Sequence, residues 1–511
     1  MTVNSSIGSR HLMPSTYLKD AADSTASTVH IIVSADWATS TAGQLLTSCL
    51  VNLLCRQDKI VTAIYVEAAD SALVIKLPSG STSLGFPACL EGLGEWAVGN
   101  AVPVLTQIKP TTADHIVIIG ETVACSQAIA GHKIYAYGDG WLAWVGSQMN
   151  IACPIFPQSH NPLGPFLAAA LVSSEIFKLN RGTLRGAYLA SNGFSLWTGK
   201  TSGVWGDLEN GPELVGCQLN IDALHIIGMG AVGNDLAYVI SNVNLKDPYI
   251  IAIDHDSYDE TNLNRCLLAG RVDIGARKVD TIETVLKNHD IPVYPFFGTI
   301  RDYIVGSKIN LRSDVRSKVD NFAFDAIASC VDRGSSRQDI QSLWPTFLAG
   351  GSTLDLTAKS NSYNVWPGAM CLACFNPAEQ DGEEIRAVEN KLRQMTQSQR
   401  HEFAIQNGLP SAAIEEYIQD KKCGTLGETA LKDFATKPNP EFSVGFVSLG
   451  AALLLSATIF KQLIPEISSS PVADQVTLNF LNGGFMETGM GFDKNCELKC
   501  TTVPTRKNKT A

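Results

Sequence analysis

The stretch Leu224-His225-Ile226-Ile227-Gly228-Met229-Gly230-Ala231-Val232-Gly233 decides how this chain is read. Its four apolar residues make a short strand, and the G-x-G-x-x-G spacing behind them lets the backbone turn tightly and aim N–H groups and a helix N-terminus at a phosphate. The next apolar run, Tyr249 to Ile253, is a second strand that ends at Asp254. That carboxylate stands about twenty residues past the last glycine, where it can accept hydrogen bonds from a ribose. A nicotinamide enzyme would show this much.

The residues that follow suit a triphosphate better than a dinucleotide: Asp256, then Asn262-Leu263-Asn264-Arg265, then Lys278. Cleaving a triphosphate requires cations on oxygens that gain charge, and Arg265 and Lys278 can supply them. Singly, each reads as a solvated surface charge; with the glycine loop, the set reads as a site. Further on, the apolar strand Phe324 to Ala328 leads into Cys330-Val331-Asp332. A carboxylate at the C-terminal edge of a strand lies where open α/β sheets place ligand groups. The other reading of Asp332 is a helix N-cap before Ser335 and Ser336.

These residues together resemble the E1-like adenylating enzymes, which comprise the ubiquitin-activating enzymes and the ThiF/MoeB-type relatives of thiamine and molybdopterin pathways. The resemblance covers about 222–500 and implies an α/β fold of two Rossmann-like, ThiF-type adenylation domains in a pseudo-two-fold arrangement. It implies ATP binding by Gly228, Gly230, Gly233, Asp254, Asp256, Asn262, Arg265 and Lys278, with Arg265 and Lys278 also catalytic and Mg2+ held at Asp332. Family members borrow an arginine from the opposite half. No Arg-x-x-Arg-Gln string precedes the glycine loop, which leaves Arg181 and Arg185 as candidates.

Thirteen cysteines occur in 511 residues, without a secretory signal, so a reducing, cytoplasmic setting is expected. Cys371-x-x-Cys374 and Cys496-x-x-x-Cys500 offer four thiolates from two short loops, the donor set of a structural Zn2+ site. The resemblance implies such a pair of knuckles, although its second half is usually C-x-x-C; ordinary buried thiols are the other reading. Cys423 follows Lys421 and Lys422 and precedes Gly424, a setting that favours the thiolate. By resemblance it is the acyl-accepting nucleophile of a crossover segment, and otherwise an idle thiol on a loop. Cys266 and Cys330 are expected to pack beneath the sheet.

The first half reads as a degenerate copy of the second. Thr28 to Val33, Ala42 to Cys55 and Val61 to Val66 form a βαβ unit without a glycine fingerprint. His115 to Ile119 parallels Phe324 to Cys330, and the apolar runs Pro165 to Lys178 and Gly450 to Lys461 both end in Ile-Phe-Lys. The expected organisation is a disordered 1–27, an inactive adenylation domain over 28–200, an active one over 201–500 with a crossover insertion at 375–440, and a disordered tail at 501–511. Glu383 to Gln397 and Ser411 to Lys422 read as amphipathic helices, either a lid or docking surface or plain solvated helix.

The apolar stretch Ser443 to Phe460 is interrupted by Ser, Gly and Thr and reads as a buried helix between halves, so no membrane is expected. A net charge of −11 argues against nucleic acid as partner. The resemblance implies instead a ubiquitin-like protein ending in glycine and an E2-like conjugating enzyme, served by a pseudodimeric monomer. A sulfur-carrier adenylyltransferase without a thioester step is the alternative. The compact duplicated layout is similar to E1 enzymes of bacterial ubiquitin-like operons associated with phage defence.

Overall fold

In a computed structural model, the residues described are 10–80, 85–120, 130–148, 153, 156–184, 191–306, 326–363, 370–374, 376, 381–419, 431, 442–467, 472–496 and 498. They build two eight-stranded sheets. The first contains β1 Ser27–Val33, β2 Val61–Glu67, β3 Val104–Leu105, β4 Thr112–Ile119, β5 Ala130–Asp139, β6 Leu142–Gly146, β7 Ser191–Ser195 and β8 Thr201–Ser202. The second contains β9 Leu224–Ile227, β10 Ile250–Asp254, β11 Val293–Phe297, β12 Ala326–Ser329, β13 Phe347–Leu354, β14 Thr357–Ser362, β15 Gln475–Asn479 and β16 Gly484–Thr488.

Strand order shows the duplication directly. The sheets run β3-β2-β1-β4-β5-β6-β7-β8 and β11-β10-β9-β12-β13-β14-β15-β16, the same sequence of neighbours twice. In each, the first five strands pair parallel. The last three add on antiparallel. The order reverses between β1 and β4 and again between β9 and β12, and at such a switch point an α/β sheet opens a crevice for ligand. The antiparallel extensions went beyond the βαβ reading, because each is made of short, mixed-polarity strands with little periodic signal.

Helices repeat as well. Thr41–Cys55 follows β1 and Ala231–Ser241 follows β9, while Leu163–Arg181 sits between β6 and β7 and Gly445–Leu463 between β14 and β15. Side chains alternate along the strands: Val29, Ile31 and Val33 face the core that both halves share, as do Leu224 and Ile226. Ile32 faces the other side of its sheet, and Ile227 the other side of its own. Gly445–Leu463 is long and apolar enough for a membrane span, but 94% of that window is buried within the protein, which makes it a core helix. It packs against Ala231–Ser241 of its own half and Leu163–Arg181 of the other.

The two Ile-Phe-Lys endings have a reciprocal arrangement. Lys178 Nζ donates to Leu481 O, between β15 and β16, at 3.2 Å. Lys461 Nζ lies 5.7 Å from the centre of the Trp197 ring, between β7 and β8. Each helix thus reaches the corresponding turn of the other half.

Residues 10–26, expected to be disordered, are instead placed by specific contacts. Ser15 Oγ and Thr16 N donate to Asp355 at 2.7 Å each, and Lys19 N donates to Gly182 O at 2.9 Å. A Ser/Thr-rich composition suggested disorder, but those hydroxyls and amides find acceptors. Residues 381–419 and Leu431 belong to a separate compact unit. Its helices Asp381–Gln394, Gln397–Gln406 and Ser411–Gln419 close a small core of Leu392, Ile414, Tyr417, Ile418 and Leu431. Arg400 and Glu415 pair at 2.6 Å across it.

Candidate functional site

The glycine loop leaves β9 where its spacing suggested, and each glycine has a distinct reason. Gly228 has φ +90°, and a Cβ there would come within 2.8 Å of Cys330 O. Gly233, third residue of the helix Ala231–Ser241, would place a Cβ 1.9 Å from Gly228 O. Only glycine lets helix and strand approach so closely. Gly230 differs: a Cβ would meet nothing within 4 Å, and as N-cap it makes no side-chain hydrogen bond. The helix therefore presents unsatisfied N–H groups and the positive end of its dipole to open space.

Asp254 joins this loop to the next strand. Its Oδ2 accepts Met229 N at 2.5 Å, and its Oδ1 accepts Asp256 N at 2.7 Å. Burial raises the pKa of Asp254, opposed by the nearby Lys278 cation. Lys278, the first residue of the helix Lys278–Asn288, donates from Nζ to Asp256 Oδ2 at 2.8 Å. Burial pulls the Lys278 pKa down, but Asp254 and Asp256 outweigh it and hold the amine above its ordinary value. Gly228, Gly230, Gly233, Asp254, Asp256 and Lys278 thus form one connected cluster.

Asn262 and Arg265 occupy the following loop, which is tied to the glycine-loop helix. Asn234 Oδ1 accepts Leu268 N at 2.9 Å, and Asp235 Oδ1 accepts Leu267 N at 3.2 Å. Within the loop, Asn262 Oδ1 accepts Asp259 N at 3.2 Å and caps its own turn. Arg265 Nη1 donates to Thr261 O at 2.6 Å and to Asn264 Oδ1 at 2.8 Å. Burial lowers the pKa of Arg265, and the charge of Arg10 lowers it further.

Arg10 is a residue that sequence reading missed. It stands in the N-terminal segment, where its carbonyl accepts Ser443 N at 3.3 Å. Of the two arginines expected as candidates for the one borrowed from the opposite half, Arg181 is buried, with Nη2 3.5 Å from Met13 O. Arg185 lies outside the described residues.

Asp332 is exposed just beyond β12, two residues past the Cys330 carbonyl that abuts Gly228. Arg337 holds this turn by donating to Val331 O at 3.2 Å from Nη2, and it also donates to Asn376 beside the first cysteine knuckle. Cys266 is buried and Cys330 partly so.

The thiols of Cys371 and Cys374, three residues apart, converge with that of Cys496, 125 positions beyond Cys371. Cys371 Sγ is 3.6 Å from Cys374 Sγ and 3.5 Å from Cys496 Sγ. Thiolates around a tetrahedral zinc, each about 2.3 Å from the metal, stand about 3.8 Å apart, so these spacings fit three corners of such a site. Burial, then the hydrogen bond with Cys496, pushes the Cys371 thiol well up; a bound cation would reverse that preference. Cys500, the fourth expected ligand, and Cys423, the expected nucleophile, lie outside the described residues.

Comparison with known proteins bears on both halves. Residues 28–196 match the BilD N-terminal domain family. The uncharacterized protein y4jF of Sinorhizobium fredii (strain NBRC 101917 / NGR234) is 21% identical over 175 residues, covering 34% of this chain. The matched segment spans only 31% of that relative's length. A structure of E. coli MccB with ATP aligns at 16% identity over 56% of this chain and 67% of MccB, with a TM-score of 0.34. The microcin C7 biosynthetic enzyme MccB in complex with N-formylated MccA aligns at 17% over 56% and 68%, with a TM-score of 0.36. Scores this low carry no argument. The ThiF family profile matches residues 218–496, more than half of the chain and the whole of the glycine-loop sheet, and the chain belongs to the ThiF family of E1-like adenylating enzymes.

Proposed function

We propose that this protein activates the C-terminal carboxylate of a ubiquitin-like protein with ATP, then carries the acyl group as a thioester on Cys423 for an E2-like enzyme. The observation that carries the first step is the open, uncapped helix start at Gly230, joined through Asp254 and Asp256 to the cation of Lys278. Anion-accepting N–H groups and a held ammonium in one cluster suit a bound phosphate chain.

In the first step, a carboxylate oxygen of the protein substrate attacks the α-phosphorus of ATP. The bond from that phosphorus to its bridging oxygen breaks, and pyrophosphate leaves. Gly230 and Gly233 keep the helix start open to the phosphates, while Lys278 and Arg265 balance the charge moving onto the leaving group. Arg10, close enough to Arg265 for their charges to interact, is our candidate for the cation supplied by the N-terminal half. Asp254 orients the loop and would receive a ribose hydroxyl. Asp332 would hold Mg2+, which supplies charge neutralisation on the phosphate oxygens.

In the second step, Cys423 Sγ attacks the acyl carbon, the mixed anhydride opens, and AMP departs. An E2-like cysteine then takes the acyl group by thioester exchange. Cys371, Cys374 and Cys496, with Cys500, would hold a structural zinc. We further assign the activity to a cytoplasmic, bacterial conjugation system of the antiphage type. The duplicated layout within one chain supports that assignment.

ATP–pyrophosphate exchange with a ubiquitin-like protein ending in glycine tests the reading, followed by a non-reducing gel of wild type and Cys423→Ala. Exchange in both, with a thiol-sensitive adduct only in wild type, is the expected result. Exchange without an adduct in either would instead favour a sulfur-carrier adenylyltransferase.

A further inference from the structure

Arg56 belongs to the N-terminal half, where it ends the helix Thr41–Cys55, yet most of its hydrogen bonds leave that half. It is 1% exposed. Nη1 donates to Leu263 O at 2.6 Å and Nη2 to Ala269 O at 2.9 Å, while Nε donates to Asn52 Oδ1 at 2.9 Å. Asn52 then donates from Nδ2 to Leu267 O at 3.1 Å. Three carbonyls of one loop, at 263, 267 and 269, are therefore held by two side chains from the other half. That loop contains Arg265 and begins at Asn262.

The opposite side of the loop is held just as specifically. Asn234 and Asp235, from the helix behind Gly230, accept the amides of Leu268 and Leu267. Neighbouring contacts extend the seat: a Cβ at Gly270 would lie 2.6 Å from Trp96 O, so the loop already touches the first half's helix Phe86–Val98.

A buried guanidinium costs several kcal/mol of desolvation unless its donors are satisfied, and an apolar side chain would fill the space more cheaply. Burial does lower the pKa of Arg56. A planar fork that reaches separate acceptors at fixed angles offers what packing cannot, which is a defined geometry for the backbone it grips.

We propose that Arg56, with Asn52, is a positioning residue through which the N-terminal half holds the loop of Asn262 and Arg265 in its nucleotide-binding conformation. The proposal rests on the reading above that this loop meets ATP. The N-terminal half then acts on the site as a template, setting where Arg265 stands.

Hydrogen–deuterium exchange on the full chain, paired with binding of the fluorescent analogue mant-ATP in the presence of Mg2+, tests this. In Arg56→Lys, amides over 262–269 should exchange on the order of tenfold faster while β9 and β10 keep their protection, and mant-ATP should bind about tenfold more weakly. Asn52→Asp, which keeps the acceptor for Arg56 but loses the donor to Leu267, should show a smaller change in the same peptides and secures the test if Arg56→Lys folds poorly. Unchanged exchange over 262–269 in both variants would overturn the proposal, as would exchange that rises uniformly through both sheets. If wild type binds no mant-ATP, the nucleotide reading fails and the positioning proposal with it. In that case local exchange still reports whether the clamp holds the loop.

Discussion

The two halves share a strand order and differ at the start of one helix. In the second half, Gly230 caps the helix without a side chain and opens onto nothing within 4 Å. In the first half, Ser40 Oγ accepts Gly43 N at 3.0 Å, so the helix start is already satisfied. Trp37 fills the adjoining space, fully buried, with its ring 5.8 Å from that of Tyr137. A Cβ on Gly120, just past β4, would lie 2.3 Å from Trp37 Cδ1. The carboxylate at the strand end has also been reassigned: Glu67, last residue of β2, pairs with Lys109, whereas Asp254 holds its glycine loop. One glycine persists. Gly43 is the third residue of its helix as Gly233 is of its own, and their Cβ atoms would meet carbonyl oxygens at 2.0 and 1.9 Å. The first half has thus kept the glycine that lets its helix pack against the backbone just before it, Trp37 O in one half and Gly228 O in the other, while its helix start carries a side-chain cap that the second half lacks.

Moving the plug should have the largest effect. Gly230→Trp places an indole at the open helix start, and we expect mant-ATP binding and pyrophosphate exchange to fall on the order of 10³-fold with the fold retained by circular dichroism. Normal binding in that variant would break the comparison. Next, Lys278→Met removes the cation held by Asp256 and should lower exchange by about 10²–10³-fold, an effect that titration with the ATP analogue and rapid-quench kinetics would resolve. Trp37→Ala sharpens the contrast from the other side. It should destabilise the chain by about 3–5 kcal/mol in urea unfolding, while nucleotide affinity per folded molecule stays within about twofold.

The smallest effect concerns the reciprocal lysines. Burial lowers the pKa of Lys461 from 10.5 to about 8, with Glu487 opposing. Between those values the unfolded chain binds a proton that the folded chain does not, so this group's contribution to stability rises with pH from about 8 to about 10.5 and is missing below. Lys461→Met should therefore be more stable than wild type at pH 7, by up to about 3 kcal/mol, and the gap should close by about pH 10.5. A gap that does not vary with pH would show that packing, rather than charge, sets the difference.

Much of this was legible in the chain. The glycine spacing, the strand ending at Asp254 and the matching Ile-Phe-Lys helices located the second sheet and its copy, because periodicity and spacing are local signals. Other features were not. Arg56 and Asn52 carry no local signal of their role, since their acceptors at Leu263, Leu267 and Ala269 lie more than 200 positions away. Trp37 is buried, and only its place relative to Gly120 shows what it fills. Arg10 sits among serines and threonines with no pattern to mark it. Asn262 was expected at the nucleotide, and its side-chain oxygen caps its own turn.

The core helix Gly445–Leu463 has a consequence for how the chain is made. Its partner across the core, Leu163–Arg181, leaves the ribosome roughly 280 residues earlier, counting from Arg181 to Leu463. At about 5–20 residues per second, that apolar surface waits on the order of 15–60 s before its cover is synthesised. For that interval the nascent first half exposes an apolar face of the kind that holding chaperones bind, and a ribosome stalled upstream of residue 445 would leave that face uncovered.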